Sequence, residues 1–277
     1  MNFEVPVPGV PGAVIRLTPD LPDWLPGSMP AGLYSHAREN ELLIVMSGVA
    51  RYLVRNGISI HLAPVAGADE GAINICLQGS ARSALIHQRG ELPLHASTLI
   101  SPHGKFAVAL CGSSGAGKST LAAELIRRNW LLLADDTTRV TWSGAEAIAW
   151  PSQGRIKLWR DACDKMSLDT SKLKRVREGM EKFVVPVPSF NDPQPLFAAV
   201  ELEPAGAAQL CELDAMGRIE SLCRHTFRPR QIRPLCRLAH HMRIVTQVAG
   251  VVRALRFNGA LTTEPAKIAD MLETRLL

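Results

Sequence analysis

The eight residues Gly112-Ser113-Ser114-Gly115-Ala116-Gly117-Lys118-Ser119 constrain this chain more than any other stretch, because they fit the pattern G-x-x-x-x-G-K-[ST]. The flanks fit as well. Phe106-Ala107-Val108-Ala109-Leu110-Cys111 is a short apolar run of the kind a buried strand needs. Thr120 to Asn129 is built mainly from helix formers, with apolar residues at helical spacing. A strand, a glycine-rich loop and a helix in that order aim backbone N–H groups at an anion, and the helix N-terminus adds its partial positive charge. The loop from Gly112 to Ser119, with Thr120 behind it, is therefore the expected seat of a nucleotide's phosphates. Lys118 is placed to reach the terminal phosphates, and the Ser119 hydroxyl to hold Mg²⁺. The bland alternative is a glycine turn that binds nothing.

A second apolar run, Trp130-Leu131-Leu132-Leu133-Ala134, ends in Asp135-Asp136. A buried strand that delivers a carboxylate beside a phosphate loop supplies a second metal anchor. Adjacent strand residues point to opposite faces, so the two carboxylates are expected to differ in role. One would hold the metal or its waters and the other would accept a proton from an incoming hydroxyl. The assignment preferred here is Asp135 as base and Asp136 as metal partner with Ser119, and it can be swapped. A structural role for one of the pair, capping the turn into Thr137-Thr138, is the other option.

Taken together, Leu94-His95-Ala96-Ser97, the glycine loop and Leu133-Ala134-Asp135-Asp136 resemble the catalytic domain of the HPr kinase/phosphorylase family. The likeness is closer to its relatives that lack the regulatory half, some of which phosphorylate a serine of a lasso-type precursor peptide. Its specific part runs from about Leu92 to Asp136. A weaker likeness continues through Gly154-Arg155-Ile156-Lys157-Leu158, Glu181 to Pro186 and Val252 to Phe257. The resemblance implies a mixed α/β fold, with a P-loop kinase core of the HPr kinase and PEP-carboxykinase-like type. The strand pattern before Leu92, with no linker after it, reads as a β-rich N-terminal lobe over residues 1–90 packed on a kinase domain over 91–277, the part that carries the resemblance. The resemblance also implies Mg-ATP-dependent phosphoryl transfer, with His95, Lys118, Asp135 and Asp136 as the catalytic group. Two departures argue against HPr as acceptor and against the reverse reaction. Thr120 stands where the HPr enzymes usually carry Glu, and a glycine-rich second signature is missing.

Composition narrows the classes. The chain has 277 residues, 47% of them apolar, which is ample for a core, and only 5% aromatic, so that core is expected to be aliphatic. The net charge of +5 favours anionic partners without choosing among them. The six cysteines form no C-x-x-C pair, and Cys111 abuts the loop, which suits reduced thiols in a cytoplasmic protein. Cys223, Cys236, His240 and His241 match no standard zinc spacing. No apolar run reaches the roughly 18 residues of a membrane span. The beginning of the chain, with Glu4, Pro6, Pro8 and Pro11, does not read as a signal peptide.

Along the chain, prolines forbid a long helix before about residue 32, leaving Val14 to Leu17 as a candidate edge strand and Trp24 as a candidate pin onto the core. Leu42 to Leu62 reads as an antiparallel meander turning at Asn56-Gly57, the strongest short hairpin signal. Ala72 to Leu77 reads as a further strand and Ser80 to Gln88 as a helix. Leu92 to Ile100 reads as one strand containing His95. Its role is either contact with nucleotide or metal, or a hydrogen-bonded core histidine, and Ser97 is equally open. The five residues Ser101 to Lys105 then make a hairpin into the loop strand, and a second hairpin crosses Ser143-Gly144. Arg155 and Lys157 share one strand face by period two and either hold a phosphate or acidic substrate or form a solvated face. Residues 160–182 read as polar and helical. In them Arg177 and Lys182 are candidate cations for charge that spreads during transfer. Ser189 to Pro195 reads as a mobile lid. Residues 224–243 hold six arginines, three histidines and no acids, and suit an anionic substrate or a subunit contact. Motifs for RNA or DNA are missing, so nucleic acid is not the expected partner.

The resulting expectation is an ATP-dependent, cytoplasmic kinase acting on a serine or other hydroxyl of a peptide or protein, as a possible homo-oligomer. A small-molecule kinase and an ATP-binding regulator without transfer are the alternatives.

Overall fold

The computed structural model describes residues 4–104 and 106–277, so Lys105 of the first expected hairpin turn lies outside the described residues. The fold is mixed α/β with several sheets, and the chain divides into two compact units. The first comprises residues 1–93 with 175–180 and 227–244; the second comprises 94–174, 181–226 and 245–277. The chain is thus not partitioned at one point near residue 90, because two later segments return to the first unit.

The first unit is built on seven strands: β1 (Glu4–Pro6), β2 (Val14–Leu17), β3 (Met29–Gly32), β4 (Ser35–Arg38), β5 (Glu41–Met46), β6 (Ala50–Arg55) and β7 (Ser59–Pro64), in the order β1-β2-β7-β6-β5-β4-β3. Asn56 and Gly57 both take positive φ, at 54° and 68°, and with Ile58 turn β6 into β7 through a three-residue loop, Arg55 pairing with Ser59. Val14 to Leu17 is not an edge: it pairs antiparallel with β1 and parallel with β7. Trp24 does not enter the core. It is half exposed, with its ring edge-on to His36 at 4.5 Å.

Ala72 to Leu77, expected as a strand, lies mostly in helix α1 (Glu70–Cys76), which runs through a π turn at Leu77–Ala81 into α2 (Arg82–Gln88). The spacing of Ile73 and Ile75 mimics a strand. The deciding residue is Asp69, whose carboxylate accepts the Gly71 and Ala72 N–H groups at 3.0 Å each and so caps the first turn.

The remaining elements follow in chain order. They are β8 (Leu92–Leu94), β9 (Ala96–Ile100), β10 (Ala107–Gly112), α3 (Lys118–Arg127), β11 (Leu131–Ala134), β12 (Thr138–Ser143), β13 (Glu146–Trp150), β14 (Arg155–Trp159), α4 (Arg160–Lys165), β15 (Lys174–Arg175), β16 (Lys182–Pro186), β17 (Gln194–Glu203), β18 (Gln209–Glu212), α5 (Ala215–Arg224), α6 (Leu238–Val251), β19 (Arg253–Asn258) and α7 (Pro265–Leu276). In the second unit the sheet runs β11-β9-β10-β17-β19-β18. The pairs β10–β17 and β17–β19 are parallel, and β9 is antiparallel to both β10 and β11. Every residue of β10 is buried, as its unbroken apolar sequence demands. Leu121, Leu125, Ile268 and Leu272 from α3 and α7 join Val108, Leu110, Val200 and Phe257 in one core, so one face of the sheet is covered by helices. β14 and β16 form a separate antiparallel pair.

Two further expectations are corrected. Residues 160–182 are α-helical only over Arg160–Lys165, with one 3₁₀ turn at Thr170–Lys172, because Ser167 adopts a left-handed φ of 55° and the Leu168 N–H closes back on the Cys163 carbonyl at 3.0 Å. The apolar run Val251 to Phe257, which the sequence offers as a last strand, becomes one only from Arg253, since Val251 closes α6.

Candidate functional site

β10 enters the loop at Gly112, whose φ of 153° disfavours a side chain. A Cβ there would also lie 3.1 Å from both the Ala116 Cβ and the Leu202 carbonyl oxygen. The loop turns back through Gly115 and Gly117, at φ of 84° and 92°, and a Cβ on either would meet nothing within 4 Å. The loop's outer surface is therefore an open cradle, and α3 begins directly behind it at Lys118. Lys118 is buried. Its ammonium donates to the carbonyls of Gly112 at 2.7 Å and Ser113 at 2.9 Å, and lies 3.3 Å from His95 Nε2. Burial depresses its pKa, against the pull of Cys111, Asp136 and Asp135.

His95 is not inside a strand but in the break between β8 and β9. Its N–H is taken by the His225 carbonyl at 2.8 Å instead of a ladder partner. Its Nδ1 donates to the Asp136 carbonyl oxygen at 2.9 Å, which leaves Nε2 as the acceptor toward Lys118. Burial, and then the Lys118 charge, hold its pKa below the usual range and keep the ring neutral.

The aspartates follow β11 and are separated by backbone conformation: Asp136 takes φ of 64°, so successive carboxylates leave the strand in different directions. Asp135 Oδ1 accepts the Ser97 hydroxyl at 2.6 Å and Oδ2 accepts the Lys157 backbone N–H at 3.1 Å. Burial and the neighbouring Asp136 charge nevertheless push its pKa up, to about 6. Asp136 goes the other way. Burial would raise it, but the Lys157 ammonium bonded to Oδ2, with Lys182 nearby, holds it below the carboxylate range. Two adjacent carboxylates whose pKa values are pushed apart have the character of an acid–base group beside a permanently charged one.

A cleft of about 390 Å³ opens over the loop. Its polar part is formed by residues 114–120 with His95, Asp136 and Lys182. Its other walls come from the end of β14 with α4, and from the segment between β19 and α7. Of the expected site residues, the structure brings Ser114 to Thr120, His95, Asp136 and Lys182 to this cleft. Gly112 and Ser113 lie beneath it, held to Lys118, and Asp135 is linked to it through Lys157. Lys157 is turned onto Asp136, and Arg155 onto the Gln153 side-chain oxygen. Arg177 belongs to the first unit, exposed beside Gly71.

Sequence reasoning passed over Glu201. This carboxylate, with 0% of its side chain exposed, sits in the central strand β17. It accepts Arg224 at 2.6 Å, His225 at 2.8 Å, and the Arg256 guanidinium twice, at 3.0 and 2.9 Å. It anchors the His225 ring, and the His225 carbonyl holds the His95 N–H. The available signal was an acid inside the apolar run Phe197 to Leu202, which burial makes costly unless it is paired.

Among the described residues no cluster of three or more His, Cys, Asp or Glu side chains could cage a metal by itself. Mg²⁺ does not need one. It is commonly held by one or two carboxylates together with waters and substrate phosphates, and the cleft offers the Ser119 hydroxyl and the Asp136 carboxylate, the latter bonded here to Lys157. The open Gly115–Gly117 cradle suits the phosphates. No helix among the described residues is long and apolar enough to cross a membrane.

No family model matches the chain, and no curated protein matches it. Among solved structures, the HPr(Ser) kinase/phosphatase from Coxiella burnetii is similar over 66% of this chain and 98% of that chain, at 15% sequence identity and a TM-score of 0.33. A likeness that distant carries no weight for the chemistry, and the reading of the site rests on its own side chains.

Proposed function

We propose that this chain is a Mg²⁺- and ATP-dependent kinase that transfers a terminal phosphoryl group to a hydroxyl, of the serine kind, on a peptide or protein. The observation that carries the reading is the convergence of a buried lysine, a glycine cradle and Asp136 at one cleft, with Asp135 joined to Asp136 through Lys157. The loop amides and Lys118 hold the phosphates. The Ser119 hydroxyl and the Asp136 carboxylate would hold Mg²⁺, which when bound neutralises phosphate charge.

Asp135, mostly ionised near neutrality but with its proton affinity raised by burial and the Asp136 charge, and oriented by Ser97 and the Lys157 N–H, takes the proton from the acceptor hydroxyl as its oxygen attacks. The new O–P bond forms as the bond between the terminal phosphorus and the bridging oxygen breaks, and the nucleoside diphosphate leaves with the electron pair. His95, neutral and fixed by the Asp136 carbonyl, keeps the Lys118 ammonium aimed rather than adding charge. Lys182 stands at the same cleft and offers a second cation to the charge that develops. A cytoplasmic setting goes with this reading, since ATP and reduced thiols are found there.

The test is transfer from γ-labelled ATP with Mg²⁺ into a lysate resolved into peptide, protein and small-molecule fractions, beside Lys118→Ala and Asp135→Asn. Label in a peptide or protein band that both variants lack supports the proposal. Label confined to a metabolite replaces the acceptor class, and bound ATP with no transferred label leaves a nucleotide-responsive regulator.

A further inference from the structure

The cleft is chemically two-ended. Its polar end, from the glycine loop to Asp136 and Lys182, accounts for phosphates and metal. Its other end is lined mainly by apolar side chains, with Asp161, Lys165 and Thr263 among them. On one wall stand Trp159 and, behind it, buried Leu158 and Ala162; on the other stand Leu261, Pro265 and buried Ile268. Trp159 is 48% exposed and Leu261 62% exposed although both line the cleft, so each keeps large apolar surface open to solvent there. Ligand clefts pair apolar and aromatic walls with a few polar groups in just this way. The Lys182 ammonium lies 5.5 Å from the centre of the Trp159 ring, which ties the aromatic wall to the cationic end and gives the cleft one continuous path from phosphate groups to an aromatic platform.

We infer that this apolar end, between Trp159 and Leu261, is the seat of the donor's aromatic base. The site is thereby one for a nucleoside triphosphate and not for bare inorganic tri- or pyrophosphate. The inference rests on the proposed phosphate-binding role of the loop. A base offers two flat apolar faces, which a half-exposed indole and a facing aliphatic wall can cover, and stacking on an aromatic side chain is tolerant of which base is bound. Inorganic phosphates would fill only the polar end and leave Trp159 and Leu261 wet.

Calorimetric titration of the full chain with Mg²⁺-ATP and, separately, with Mg²⁺-tripolyphosphate tests this. Wild type is expected to bind ATP at least about tenfold more tightly than tripolyphosphate. Trp159→Ala is expected to weaken ATP about tenfold to a hundredfold, the range for losing one stacked base, and to leave tripolyphosphate unchanged. Leu261→Ser should move ATP alone in the same direction, and Trp159→Phe should retain ATP affinity, which separates stacking from a folding defect. Equal affinity of wild type for the two ligands overturns the inference, as does an equal loss of both in Trp159→Ala. Lys118→Ala tests the underlying reading independently, since it must weaken both ligands. If neither ligand binds wild type, the phosphate reading fails and the base seat fails with it.

Discussion

Replacing Glu201 with Gln keeps the shape of the side chain and removes only its charge, which makes it a sharp probe of the second unit. Its carboxylate is fully buried and receives four hydrogen bonds from three residues. Burial alone would raise its pKa; the His225 and Arg256 hydrogen bonds, with Arg224, overcome this and pull it from 4.5 to about 2. A depression of that size is worth about 3 kcal/mol of stability. Because the folded pKa is the lower one, this contribution is fully present above the unfolded value of 4.5 and is lost as pH falls from there toward 2. About 2 kcal/mol of it is gone by pH 3. Breaking a buried ion pair costs about 3–5 kcal/mol in general. Here Arg224 and Arg256 keep 48% and 31% of their side chains exposed and can turn to water, so the lower end of that range applies. Glu201→Gln should therefore cost about 3 kcal/mol at pH 7 and only about 1 kcal/mol at pH 3. Urea unfolding at the two pH values, followed by circular dichroism, measures both. A loss under about 0.5 kcal/mol at pH 7, or a loss that does not shrink on acidification, refutes the idea that this carboxylate is held ionised by its partners.

Three more outcomes are expected. Lys157→Met should tighten Mn²⁺ binding about fivefold, read by electron paramagnetic resonance on the nucleotide-free protein. It removes an ammonium that competes for Asp136 Oδ2, and the pair, at 22% and 36% exposure, is hydrated enough to be worth only about 1 kcal/mol; unchanged or weaker binding would mean that Asp136 is no metal ligand. Ser97→Ala should lower kcat about tenfold with KM for ATP unchanged, and Ser97→Thr should restore it, because a hydrogen bond to a charged group contributes about 1.5–3 kcal/mol. A raised KM with unchanged kcat would count against a role in placing Asp135. Gly112→Ala should destabilise the chain by about 1–3 kcal/mol, seen as a lowered thermal midpoint, from its φ of 153° and the crowding of Ala116 and Leu202; a wild-type midpoint would show that the loop relaxes freely.

What could be read from the sequence and what could not divide along a physical line. The glycine loop, the aspartate pair and the Asn56-Gly57 hairpin depend on local conformation, and local conformation is written in adjacent residues. The helix at Glu70–Cys76 is local too, yet its sequence reads as a strand, because Ile73 and Ile75 alternate while a single capping carboxylate, Asp69, decides the outcome. The break at His95 was beyond any local pattern. Nothing near residue 95 encodes a partner 130 positions away, whose carbonyl takes the N–H that a continuous strand would have spent on its neighbour. The same distance hides Glu201: its ionised state requires Arg224, His225 and Arg256, from a helix end and a neighbouring strand, to arrive together. These two features are one structure. Glu201 fixes His225, His225 fixes the break, and the break points the His95 ring at Lys118 and Asp136. The residues named by the motif supply the open glycine loop and the lysine behind it. The angle at which Lys118 meets the cleft is set from behind the sheet, by a buried charge network that no motif contains.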